Sequence, residues 1–184
     1  MSHEYRTVYE ILDALRVRPA LFLGNLHRRH PFATLLAFLD GLSFADIDPG
    51  TPPIWLFSRW ITARVDGIST NLPWDWLEEQ LGGDGAYAAY FQYLDEYRAC
   101  LEVEVARPEG VELVPRFWRV DSKGCQVSPP IPERLYVGQW APSEVFFLTE
   151  VYGASVERCF PYHRSVEGVV EEAQSRWSVP ASAW

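Results

Sequence analysis

Cysteine is scarce in this chain, and its cysteines do not cluster. Cys100, Cys125 and Cys159 are three in number, far apart and in no C-x-x-C pairing. That excludes a disulfide framework and a cysteine zinc site, and reads as small apolar residues kept reduced. Long apolar runs are missing as well. Arg, Asp or Gly interrupts every hydrophobic segment before the 18 or so residues a membrane helix needs. The opening residues, Met-Ser-His-Glu-Tyr-Arg, are polar and lack the apolar core of a signal peptide, so a cytoplasmic location is expected. Basic charge is short too. Net charge is −9 and the isoelectric point is near 4.9, which argues against a broad nucleic-acid-binding face. The basic residues are 15 Arg and the single Lys123, a bias that a GC-rich genome produces by itself.

Motifs of catalysis are also absent. There is no G-x-G-x-x-G, no Walker loop, no G-x-S-x-G and no H-E-x-x-H. Gly82-Gly-Asp-Gly85 has the composition of a phosphate cradle but lacks its Lys and the strand before it, so it reads as a helix-breaking turn. No cofactor is expected. His27 and His30 stand at i, i+3, but Arg28 and Arg29 between them repel a cation and no third ligand follows at suitable spacing. His163 lies four residues after Cys159, with no motif to supply an orienting acid or an oxyanion site.

What the chain has in quantity is aromatic side chain. Eight Trp, nine Tyr and ten Phe make 15% of 184 residues, and 48% are hydrophobic. This is enough for a bulky core without staples. Val8, Ile11, Leu12 and Leu15 repeat at helical spacing, with Thr7 or Ser2 as cap and Pro19 as stop. Ala20 to Gly24 reads as a buried connector or brief strand, with Leu21 and Leu23 both inside and Gly24 turning the chain. Pro31 opens a second helix carrying Leu35, Leu36, Phe38, Leu39 and Leu42. After the turn-rich loop 47–53, a third helix is marked by Ile54, Phe57, Ile61 and Val65, with Trp55 and Trp60 on its flanks. A short fourth helix starts at Asn71-Leu-Pro73 and stops at the glycines, and a fifth runs from Tyr87 to Tyr97.

The character then changes. Cys100 to Ala106 alternates apolar and acidic residues like a half-buried strand. Further strands are expected over 113–120, 134–140 and 145–151. Gln126 to Arg134, with three prolines, reads as extended loop. A helix from Val166 to Trp177 is capped by Ser165, and the tail after it is expected to be loose. The expected class is α+β: a helical N-terminal half, a mostly antiparallel sheet in the C-terminal half and a closing C-terminal helix. It is expected to form a single domain over 1–184, helix-rich over 1–99 and strand-rich over 100–164, with the terminal helix over 165–177.

Arg16-Val-Arg-Pro-Ala-Leu-Phe-Leu-Gly24 is similar over nine residues to the opening of the gyrase-type ATPase subunit, whose magnesium helix and D-x-G-x-G loop have no counterpart here. A longer resemblance runs through Arg18-Pro-Ala-Leu-Phe-Leu-Gly24, Leu35-Leu-Ala-Phe-Leu-Asp-Gly41 and the aromatic helices around Trp74 and Phe91. Over about the first hundred residues the chain resembles a group of small bacterial proteins with an R-P-x-(M/L)-(Y/F)-L-G motif. In size and acidity these resemble immunity partners of bacterial toxins. The resemblance implies a protein that neutralises another protein.

Charge is concentrated in one stretch. Residues 1–70 hold seven Arg and seven acids, and residues 113–184 hold seven basic and eight acidic residues. Residues 71–112 hold ten acids against Arg98 and Arg107, a net charge of −8, together with Trp74, Trp76, Tyr87, Tyr90, Phe91, Tyr93 and Tyr97. Aromatic anchors beside steering carboxylates are the composition of a surface that captures a basic partner. Asp75, Trp76, Glu78, Glu79, Asp84, Asp95 and Glu96 are the candidate binding residues. The expected function is non-enzymatic binding of a basic protein, in its concrete form a toxin. An aromatic-lined pocket for a small ligand or substrate, and a structural subunit of an assembly, are the alternatives.

Overall fold

The computed structural model describes residues 5–42, 47–65, 73–120, 122–159 and 161–184. The fold is α+β, and the backbone gathers into two compact units, residues 1–100 and 101–184.

The first unit is helical. Helix α1 (Val8–Val17) starts where the Thr7 side chain accepts from the Glu10 amide at 3.2 Å. Ser2, the other expected cap, lies outside the described residues. Pro19 ends α1 and also opens α2 (Pro19–Leu23), so the expected connector or strand is instead a short helix. Proline suits a first helical position, because its φ is already helical and its missing N–H has no bond to make there. Helical geometry also explains a second correction. Residues 21 and 23 lie about 200° apart around a helix axis. Leu23 is therefore buried at 7% exposure while Leu21 stands out at 72%. Gly24 turns the chain at φ +61° into a 3-10 segment, Gly24–Arg28.

Helix α3 (Pro31–Leu42) buries Phe32 and Leu35. A 3-10 turn (Ile54–Leu56) leads into α4 (Phe57–Arg64), where Trp60 belongs to the core and only Trp55 is exposed. Helix α5 (Pro73–Arg98) is broken at Gly82, whose φ of 68° and ψ of 169° favour glycine. Asn71 and Leu72, the expected start, lie outside the described residues. The second arm begins at Gly83 rather than Tyr87, because only the first of the clustered glycines leaves helical geometry.

One aromatic cluster holds this unit. The Phe57 ring lies 6.1 Å from Trp60, 5.6 Å from Trp74, 5.3 Å from Tyr90 and 5.4 Å from Tyr97. Two phenols anchor the loop before α4: Tyr9 donates to the Pro52 carbonyl at 2.5 Å and Tyr97 to that of Pro53 at 2.8 Å. On the surface, Arg98 binds Asp13 at 2.6 Å and joins α5 to α1.

The second unit is a four-stranded antiparallel sheet in the order β1-β4-β5-β6, with a separate two-stranded pair β2-β3. The strands are β1 (Leu101–Ala106), β2 (Arg119–Val120), β3 (Gln126–Val127), β4 (Arg134–Ala141), β5 (Phe146–Tyr152) and β6 (Ser155–Arg158). Val137 opposes Leu148 in the register of the central pair. Helix α6 (Val166–Trp177), capped by the Ser165 hydroxyl at 3.3 Å from the Gly168 amide, packs on β4 and β5. Leu135, Val137, Leu148, Val169, Ala173 and Trp177 form that core.

Five details differ from the sequence reading. Over 113–120 only Arg119–Val120 is strand, because the Val114 and Arg116 amides donate to the carbonyls of Trp177 and Arg176 at the end of α6 (3.1 and 2.7 Å). Within the expected loop Gln126 to Arg134, Gln126–Val127 forms β3. Strand β1 is a sheet edge beyond the elements α6 covers, so Leu101, Val103 and Val105 are exposed rather than half-buried. The tail is packed: Val179 is buried and the Ala183 carbonyl accepts from the Glu109 amide at 3.0 Å. Strand β6 was not expected. It is four residues long and returns from β5 through the turn at Gly153.

The asymmetry within α2 is measurable. Leu23→Ala is expected to destabilise by about 2–5 kcal/mol, the usual cost of emptying a buried leucine site. Leu21→Ala is expected to stay within about 0.5 kcal/mol, as exposed sites do. Denaturant unfolding of the two variants distinguishes them.

Candidate functional site

The first arm of α5 separates its residues by face. Pro73 and Leu77 are buried and Trp74 is half-buried against the Phe57 cluster. Asp75, Glu78 and Glu79 fall at i, i+3 and i+4, so one exposed face carries three carboxylates within a turn. Trp76, half-buried, precedes Glu79 by three residues and borders that face. Asp84 is exposed in the first turn of the second arm. Among the described residues none of these four carboxylates has an ion-pair partner. Like charges at these spacings cost a helix a few tenths of a kcal/mol per pair. The partner position of Asp75 near the helix start recovers part of that cost through the backbone dipole.

Four of the remaining six acids have partners within the chain. Asp95 binds Arg16 at 2.8 Å, and the Arg16 guanidinium also lies 5.4 Å above the Phe91 ring. Glu96 accepts from Gln92 at 3.5 Å. Glu102 and Glu104 belong to the sheet unit, where Glu102 holds Arg158 at 2.5 Å and Glu104 holds Arg107 at 2.6 Å. The acidic stretch is thus divided between the two units. The structure brings together Asp75, Trp76, Glu78 and Glu79, adds Asp84 beyond the break, and commits Asp95 and Glu96 to partners on the second arm and α1.

A cavity of about 460 Å³ opens in the same helical unit. Trp55, Phe57, Trp74, Tyr90 and Leu39 form its walls, with Asp40 also lining it. It was legible in sequence only as an excess of aromatic residues.

Cys159 and His163 each have a partner of their own. His163 Nε2 faces Glu172 Oε2 at 2.9 Å, and its main chain exchanges two 2.7 Å bonds with Phe146. Burial, with Glu150 beside it, pushes the Cys159 thiol well above its ordinary range. Glu150 itself is fully buried on β5. Its Oε1 accepts from Trp177 Nε1 at 2.7 Å and from Arg176 at 3.0 and 3.2 Å, and its Oε2 accepts from Tyr152 at 2.7 Å. Burial alone raises this carboxyl. The bonds from Tyr152, Trp177 and Cys159 and the charge of Arg176 outweigh it and hold the group below its ordinary value of 4.5. The arrangement is a clamp between α6 and β5. His27 packs its ring 5.2 Å from Tyr87. Among the described residues no three His, Cys, Asp or Glu side chains converge as a metal would require.

No helix among the described residues is long and apolar enough to cross a membrane. Comparison of the chain with protein families, with curated proteins and with solved structures found no match.

The Glu150 clamp has a defined pH signature. A carboxyl whose folded pKa lies below its unfolded value adds stability above the unfolded pKa, and loses it as pH falls through the folded one. The stability gap between the wild-type chain and Glu150→Gln is expected to be widest near neutrality and to shrink as pH drops below 4.5. Denaturant unfolding across that range checks it, and a gap constant with pH contradicts it.

Proposed function

We propose that this chain is a non-enzymatic bacterial binding protein that captures a basic protein on the acidic arm at 73–84. The observation that carries the reading is a group of four carboxylates, Asp75, Glu78, Glu79 and Asp84, without ion-pair partners among the described residues and beside the half-buried Trp76. Carboxylates arranged this way repel one another in the free protein. A cationic surface docking on them relieves that repulsion, while the indole supplies apolar area that excludes water. The concrete form of the reading is a cytoplasmic immunity protein neutralising a basic toxin. It rests on the resemblance carried by Arg18-Pro-Ala-Leu-Phe-Leu-Gly24 and on the chain's size and acidity.

The partner is recovered by affinity capture from the native host and identified by mass spectrometry. With that partner, the combined change Glu78→Lys, Glu79→Lys and Asp84→Lys is expected to slow association by about tenfold or more at low salt. The difference is expected to fade as salt screens the charges. Thermal unfolding is expected to stay close to wild type, because all three side chains are exposed. Trp76→Ala is expected to act on dissociation and to weaken binding more than loss of any single carboxylate. An association rate unchanged by the triple reversal overturns the reading.

A further inference from the structure

We propose that the cavity between Trp55, Trp74, Tyr90 and Asp40 is a binding site for a small hydrophobic ammonium ion. This site is separate from the carboxylate face of the α5 arm and does not depend on the protein-capture reading. Its volume of about 460 Å³ is that of a small-molecule pocket. Four observations define the ligand. Its lining is mostly aromatic and aliphatic residues, so the body of the ligand is apolar.

Trp55 at its border is 62% exposed and makes no ring pair among the described residues, so a large indole is available to a ligand. Tyr90 lines the cavity, and its hydroxyl makes no hydrogen bond among the described residues. The phenol oxygen is not sealed off inside the protein, so it can accept from an ammonium N–H that enters the cavity. Among the described residues that line the cavity, Asp40 is the one charged group, so the sign of the ligand's charge is positive. Asp40 has an interaction of its own within the chain, but a carboxylate offers about four lone-pair sites and can also receive an ammonium. Aromatic faces add to the attraction, since their electron-rich surfaces favour cations.

The charge requirement separates this proposal from a merely greasy pocket. Two probes with the same body, 4-phenylbutylammonium and 4-phenylbutyrate, are titrated calorimetrically into the intact protein at neutral pH. The ammonium probe is expected to bind one to one, at least about tenfold more tightly than the carboxylate. Asp40→Asn is expected to remove that preference, and Tyr90→Phe to weaken the ammonium probe alone. Trp55→Ala is expected to weaken both probes. Asp40 and Trp55 are exposed, so these two variants test the site without disturbing the core; Tyr90→Phe keeps the packed ring, and circular dichroism checks all three. No binding of the ammonium probe up to about 10 mM overturns the proposal. Equal affinity for the two probes, or a preference unchanged by Asp40→Asn, does so as well.

Discussion

The helical unit depends on one contact set, the packing of aromatic rings around Phe57. This ring meets Trp60 from its own helix, Trp74 from the first arm of α5, and Tyr90 and Tyr97 from the second. Rings at these separations bury large areas and have preferred tilts, so they fix orientation as well as distance. With Pro73 and Leu77 held inward, helical geometry leaves Asp75, Glu78 and Glu79 on the exposed side. Gly82 lets the chain change direction between the two arms, so each can place its own aromatics against the cluster. The exposed carboxylates and the cavity beside Trp74 are both consequences of that packing.

The sheet unit solves a different problem. It buries a carboxylate, which is costly unless its oxygens are filled and its charge is met. Glu150 has both, through Trp177, Tyr152 and the Arg176 guanidinium. Because Arg176 and Trp177 end α6 and Glu150 lies on β5, the network sets where the closing helix sits on the sheet. Cys159 belongs to the same network through its bond to Glu150. His163 stands apart from that network, 2.9 Å from Glu172.

Local signals were the legible part of the fold. The caps Thr7 and Ser165 and the proline at 31 mark helix starts, and Pro19 marks the end of α1, because such signals act within a few residues. The errors came where two local patterns coincide or where distant chain decides. Five residues of Pro-Ala-Leu-Phe-Leu are too few to tell helix from strand by period, and only a strand or connector puts Leu21 and Leu23 on the same side. Residues 113–118 have strand composition, but their amides find the end of α6. The candidate site was legible as composition and not as geometry. Charge counting finds the acidic stretch; it cannot see that Asp95 meets Arg16 across 79 residues or that Glu102 meets Arg158 across 56. The cavity and the Glu150 clamp left no motif, because each gathers residues from separated elements.

What separates the acidic arm from an ordinary solvated helix face is whether another protein comes to rest on it. A photo-crosslinking amino acid at position 76, with a control at the exposed position of Val156 in the sheet unit, reports this directly in the native host. The account predicts one dominant adduct from position 76, formed with a basic protein, absent from the control and diminished by added salt. Adducts that are the same from both positions, or that do not respond to salt, would contradict it.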